Sequence, residues 1–138
     1  MAAESQVIWA VLADFGALSA WADGIDHSSL LNDGGPVGLA RRVQVGRNTL
    51  IETITAFSVP TELAYAIAGL PRRFGRLGNR WTLVPAEHGT TAVTLTSTAD
   101  IGAGRVARSA ERIISRLVAS QSDALLAGLA KRVERQRV

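Results

Sequence analysis

Leu39-Ala40-Arg41-Arg42-Val43-Gln44-Val45-Gly46-Arg47-Asn48-Thr49-Leu50-Ile51-Glu52-Thr53-Ile54 reads as a β-hairpin. Apolar and polar side chains alternate on both sides of Gly46-Arg47-Asn48, the period of a half-buried strand, and a two-residue loop there opposes odd positions to even ones. Leu39, Arg41, Val43 and Val45 then share a face with Leu50, Glu52, Ile54 and Ala56. A four-residue turn from Ser58 to Thr61 adds Leu63, Tyr65 and Ile67 to that face and leaves Thr49, Thr53 and Thr55 on the solvent side. The inner face is thus apolar except for Arg41, Glu52 and Tyr65. Inward charges must pair, stay wet or serve something else. Arg41 and Glu52 are either an internal ion pair beside a wet cavity or the polar handles by which an apolar pocket orients a ligand.

The same texture extends from about Ile25 to Asp100. Breaks at Asn32-Asp33-Gly34-Gly35-Pro36, Gly46-Arg47-Asn48, Ser58-Val59-Pro60, Gly69-Leu70-Pro71 through Gly78-Asn79, and Ala86-Glu87-His88-Gly89 leave six strands. Connections this short permit only antiparallel neighbours. In the last hairpin, Trp81 and Leu83 are expected opposite Ala92 and Thr94, with Val93 and Leu95 pointing the other way.

Helical spacing brackets this meander. Ile8, Val11, Leu12 and Phe15, with Trp9 on their shoulder, define a first helix over Ser5 to Phe15, with Ser5 as its cap and Gly16 at its end. A second, Ala17 to Ala22, carries Leu18 and Trp21 and stops at Asp23-Gly24; the aromatic residues of the pair are expected to be buried. From about Ala103 to Arg135, Val106, Ala110, Ile113, Ile114, Leu117, Val118, Leu125 and Leu129 form one apolar stripe. Such a helix spans ~50 Å and needs the sheet as its partner surface. Gln121 interrupts the stripe, so its amide must find a partner in protein, water or ligand.

Composition narrows the function. The 138 residues are 47% hydrophobic and 20% charged, which suits one globular domain, spanning residues 1–138, with a sizeable core. No apolar run approaches the roughly 20 residues of a membrane span, and the N-terminus lacks a signal-peptide layout, so a cytoplasmic protein is expected. With no cysteine, and with His27 and His88 the only imidazoles, a metal site is not expected; binding of a ligand in an apolar cavity needs no cofactor, and none is expected. The net charge is +3, and all fifteen basic residues except Lys131 are arginine. Asp33-Gly34-Gly35-Pro36-Val37-Gly38 lacks the lysine and hydroxyl of a phosphate loop and leads into a strand. Arg72-Arg73-Phe74-Gly75-Arg76, with Arg80 and Trp81, carries too few aromatics for a nucleic-acid surface, since aromatics are 5% of the chain.

Two short helices, a run of antiparallel strands and one long C-terminal helix resemble the helix-grip fold of the START-like (SRPBCC) superfamily, the polyketide cyclase/dehydratase and lipid-transport group. The residues carrying the resemblance are Ile8-Trp9-Ala10-Val11-Leu12-Ala13-Asp14-Phe15 with Trp21, then Glu52 with Pro60 and Leu63-Ala64-Tyr65, then Trp81-Thr82-Leu83-Val84-Pro85 with Gly89-Thr90-Thr91. The resemblance covers essentially the whole chain and implies an α+β fold in which a curved antiparallel sheet wraps the long helix. It also implies a ligand cavity between them, lined by Trp21, Leu39, Arg41, Val43, Leu50, Glu52, Ile54, Tyr65, Ile67 and Trp81 from one side and Ala110, Ile114, Leu117 and Gln121 from the other.

The expected activity is binding of a hydrophobic or amphipathic molecule such as a lipid, isoprenoid or polyketide. The alternatives are a polyketide cyclase, aromatase or dehydratase in which Arg41, Glu52 or Tyr65 moves a proton, and an interaction module with a filled core. By the same resemblance Arg47, then Arg72, Arg73 and Arg76, then Arg105 and Arg108 ring the cavity mouth, which suits an anionic head group or transient contact with an anionic membrane. Such proteins usually begin with a strand before the first helix; here that strand is expected to be absent or to lie upstream of the assigned start. An unpaired edge near the last strand, and a homodimer paired through it, follow as expectations.

Overall fold

The computed structural model describes residues 1–69, 76–100 and 122–135. Six strands, β1 (His27–Leu30), β2 (Ala40–Val45), β3 (Asn48–Ser58), β4 (Glu62–Ala68), β5 (Arg76–Pro85) and β6 (Thr91–Asp100), form one curved antiparallel sheet in sequence order. Helix α1 (Ser5–Ala13) and a 3-10 segment (Phe15–Ala20) precede them, and helix α2 (residues 122–135) follows. The architecture is the α+β helix-grip arrangement that the hydropathy pattern and the resemblance imply. Residues 103–121 of the expected long helix, including Ala110, Ile114, Leu117 and Gln121, lie outside the described residues, as do Arg72, Arg73, Arg105 and Arg108.

The decisive hairpin has the expected parity. Val45 opposes Asn48 across a two-residue loop, which sets Val43 against Leu50 and Arg41 against Glu52. The next pairing differs from the simple alternation. A β-bulge between Ile54 and Ala56 places two residues of β3 against Ala64, after which Phe57 opposes Leu63. The extra residue flips the face, so Phe57 replaces the expected Ala56 on the inner side, where its ring meets Trp9 edge-on with centroids 5.1 Å apart.

Two further boundaries depart from expectation. Gly78 and Asn79, read as a break, lie inside β5 opposite Ala66 and Tyr65. The missing side chain of Gly78 suits that position, since a Cβ there would sit 3.2 Å from the Tyr65 carbonyl. In the last hairpin Trp81 opposes Leu95 and Leu83 opposes Val93, so all four share a face. The connection is five residues long instead of four: the Ala86 N–H donates to the Thr90 carbonyl at 2.9 Å, and His88 and Gly89 both take positive φ. Including Thr90 in the turn changes the parity of everything after it.

The core lies between the inner face and the helices. Ile8, Leu12, Phe15, Ile54, Leu63 and Trp81 are buried there with Leu125, Leu129 and Val133, which recur every four residues along α2. Gly128 permits a close approach of α2 to the N-terminal segment, because a Cβ on it would lie 2.6 Å from the Trp21 carbonyl. Trp21 is half-buried, against the expectation of full burial, and meets Trp81 edge-on at 6.3 Å. Ser5 does not cap α1; Glu4 is the N-cap, and the Ser5 hydroxyl is buried 3.1 Å from the Thr91 hydroxyl.

Candidate functional site

Arg41 and Glu52 are directly opposed on β2 and β3 and are buried together. Arg41 Nε donates to Glu52 Oε1 at 2.7 Å, its Nη2 lies 2.6 Å from the same oxygen, and its Nη1 donates to the Phe15 carbonyl at 3.0 Å. The guanidinium also lies 3.8 Å from the centroid of the Phe15 ring and 4.7 Å from that of Tyr65. Every guanidinium nitrogen is therefore engaged. The pair ties the 3-10 segment to the sheet, and its desolvation is offset by two-point hydrogen bonding and by stacking.

Tyr65 stands next to this pair, opposite Ile54 on β3 and Asn79 on β5. Its ring packs edge-on against Phe15 at 5.5 Å. Its hydroxyl accepts hydrogen bonds from Asn79 Nδ2 at 3.1 Å and Trp81 Nε1 at 3.4 Å. Asn79 is held in turn, since the Ser97 hydroxyl donates to its Oδ1 at 2.7 Å and lies 2.6 Å from the Ser122 hydroxyl on α2. A polar chain thus crosses the interior from sheet to helix within an otherwise apolar lining. The Tyr65 oxygen accepts twice, while its own proton has no acceptor among the described residues. Burial, reinforced by the negative charge of Glu52, raises the phenol above its ordinary pKa and outweighs the opposing effects of Arg41 and the two donors. At neutral pH Tyr65 is therefore a protonated hydrogen-bond donor.

Of the residues expected to line a cavity, Val43, Ile54 and Trp81 are buried on the inner face around Tyr65, and Leu39, Leu50, Ile67 and Trp21 pack half-buried against them. Asn79, Ser97 and Ser122 were not anticipated. Ser97 alternates with Leu95 and would have followed from the correct β5–β6 register, whereas nothing in the sequence singles out Ser122. A hollow of about 250 Å3 lies on the opposite, outer face, where Thr55, Ala64, Ala66, Arg80, Thr96 and Thr98 alternate with the inner-face residues. Arg80 there is paired with Glu62. Arg47, in the β2–β3 turn, and Arg76, at the start of β5, are exposed at the same end of the sheet; Gly69, which opens the β4–β5 connection, packs on Thr49 and Leu50 beside that turn. No group of metal-ligating side chains occurs among the described residues, and no described helix is long and apolar enough to cross a membrane.

A curved antiparallel sheet closed by a C-terminal helix, with short helices leading into it and isolated polar groups on its inner face, defines a START-like helix-grip protein. Residues 1–134 match the model of the family described as polyketide cyclase/dehydrase and lipid transport, and the chain belongs to that family. Its fold is similar to that of the Zhui aromatase/cyclase from Streptomyces sp. R1128, with a TM-score of 0.82, 20% identity, and coverage of 99% of this chain and 90% of that one. It is also similar to a START superfamily protein from Mycobacterium smegmatis, with a TM-score of 0.76, 19% identity, and coverage of 99% and 93%. The di-domain ARO/CYC StfQ from the steffimycin biosynthetic pathway matches with a TM-score of 0.79 and 13% identity, this chain covering 48% of its length. Among curated proteins, none matches this chain.

Proposed function

We propose that this protein binds a hydrophobic small molecule bearing a carbonyl, of the polyketide or lipid kind, between the inner face of the sheet and the C-terminal helix, and that Tyr65 donates a hydrogen bond to that carbonyl. The observation that carries the reading is the Tyr65 hydroxyl: buried in an apolar lining, kept protonated, and already accepting from Asn79 and Trp81, it has a proton for which no described residue is the acceptor. Apolar burial at ~25 cal/mol per Å2 supplies the affinity, and the phenol supplies orientation. Membership of the polyketide cyclase/dehydrase and lipid transport family supports a ligand of this chemistry. The arginines at the Arg47 and Arg76 end favour a ligand whose outer end is anionic, or docking of that end on an anionic membrane.

A cyclase or aromatase draws on the same group. Hydrogen bonding from Tyr65 would polarise a ketone and stabilise the oxyanion that forms as the adjacent carbon gives up its proton to water. Glu52 is committed to Arg41, so Tyr65 is the acid on which such catalysis would rest.

Native mass spectrometry of the purified protein, with organic extraction of what co-purifies, tests the reading. A bound lipid or polyketide that is lost or weakened about fivefold in Tyr65→Phe is the expected result, the worth of one hydrogen bond of roughly 1 kcal/mol. An apo mass unchanged by any member of a lipid and poly-keto panel, with no response of Trp fluorescence, would overturn it. Turnover of a poly-keto substrate by the wild type, lost in Tyr65→Phe while affinity survives, would establish the cyclase.

A further inference from the structure

We propose that Ser97 is the positioning residue of this site: acting through Asn79, it keeps the Tyr65 proton free for a ligand carbonyl. The inference rests on the ligand reading above and deepens it, because it names the residue that makes the site select a carbonyl. An asparagine amide has one end that donates and one that accepts, so what Tyr65 meets depends on what holds the far end. Tyr65, Asn79 and Ser97 are directly opposed on β4, β5 and β6 and stand in one row across the inner face. The Ser97 hydroxyl donates to Asn79 Oδ1 at 2.7 Å, and Asn79 Nδ2 donates to the Tyr65 oxygen at 3.1 Å. With the amide turned over, Oδ1 would take the Tyr65 proton, and the phenol would meet a ligand only as an acceptor, which a carbonyl cannot satisfy.

Donation runs one way along this row. A hydroxyl has a single proton, and that of Ser97 is spent on Asn79, so in the 2.6 Å contact between Ser97 and Ser122 it is Ser122 that donates. The chain therefore begins on α2, and the seating of that helix bears on the state of Tyr65. Trp81 Nε1, which can only donate, meets the same phenolic oxygen at 3.4 Å and imposes the same sense.

Removing the Ser97 hydroxyl releases the amide. In its present sense the amide would then leave Oδ1 and the Tyr65 proton both without partners among the described residues. Turned over, the two pair with each other, and the cost of unpaired buried groups favours that arrangement. In Ser97→Ala the Tyr65 proton is thus spent inside the protein.

Tyr65 is the only tyrosine, so the tyrosine Raman doublet of the ligand-free protein reports its hydrogen bonding alone. The intensity ratio of that doublet is high when the phenolic oxygen accepts and low when the hydroxyl donates strongly. Ser97→Ala is expected to lower the ratio, and Ser97→Thr, which retains the hydroxyl, to keep the wild-type value. Fluorenone and fluorene, one skeleton with and without a carbonyl, read the consequence by Trp fluorescence titration. Ser97→Ala is expected to weaken fluorenone about fivefold and leave fluorene unchanged, with Ser97→Thr restoring the affinity. Combined with Tyr65→Phe the loss should stay near fivefold, since both substitutions remove one hydrogen bond. A doublet unchanged in Ser97→Ala, or a combined loss of about twenty-fivefold, would overturn the proposal. Should neither fluorenone nor any other ketone bind the wild type, the ligand reading fails by itself, and the doublets, recorded without ligand, still uphold or overturn the role of Ser97.

Discussion

Arg41 Nε and Glu52 Oε1 meet at 2.7 Å across directly opposed positions of β2 and β3, under a 3-10 segment whose Phe15 contributes both a carbonyl and a ring to the same guanidinium. The interaction is closed on itself. Its energetic character follows from burial: two ions out of water are tolerable together and costly apart.

Glu52→Leu and Arg41→Met are therefore each expected to destabilise the fold by about 3–5 kcal/mol, since each leaves its former partner buried with reduced or no compensation. The double substitution Arg41→Met with Glu52→Leu is expected to recover most of that loss. Urea denaturation of the four proteins measures the coupling, and additive losses would show that the two side chains do not act as a pair.

Tyr65 is the only tyrosine of the chain, so the near-ultraviolet phenolate band reports it alone. Its pKa is raised in the folded state. The unfolded chain thus loses this proton first as pH climbs through about 10, and the native state is stabilised relatively less from there upward. The expected result is a native phenolate titration displaced above that of the guanidinium-unfolded protein, with stability falling above about pH 10. In Tyr65→Phe that component of the alkaline slope should vanish.

The bulge in β3 makes Phe57, not Ala56, the inward residue. Phe57→Ala is expected to cost about 2 kcal/mol through loss of its packing on Trp9, less than for a fully buried phenylalanine because the site is half-buried. Ala56→Ser should stay within about 0.5 kcal/mol. Thermal melts of the two variants separate the bulged register from simple alternation, which predicts the reverse order.

Gly128 sits within α2, where alanine would ordinarily gain about 1 kcal/mol. Its backbone instead approaches Trp21 too closely for a side chain. Gly128→Ala is expected to destabilise by about 1–3 kcal/mol and to shift Trp emission as α2 moves off the 3-10 segment. An increase in melting temperature would contradict the close approach.

Much of this was readable from residue order, for reasons specific to each element. The β2–β3 hairpin was legible because a two-residue turn admits one parity, and that parity opposes Arg41 to Glu52. Leu125 and Leu129 were legible because a helix on a sheet buries one side at a spacing of four. The inward position of Phe57 was hidden, since a bulge leaves the alternation of residue types unchanged. So were the partners of Tyr65: Asn79 stands beside a glycine and reads as a turn, and Ser97 faces inward only once Thr90 is counted into the preceding loop.

The order of elements, the antiparallel sheet and the polar residues of its inner face follow from residue order alone, because period and turn chemistry are local properties of the chain. Tertiary structure decided what those polar groups do. Arg41 is held by Phe15, 26 positions away, and the Ser97 hydroxyl by Ser122, 25 positions away. Such partners are chosen by how strands register and where a helix settles, and a hydrogen bond's short reach makes that choice depend on displacements that residue order does not encode.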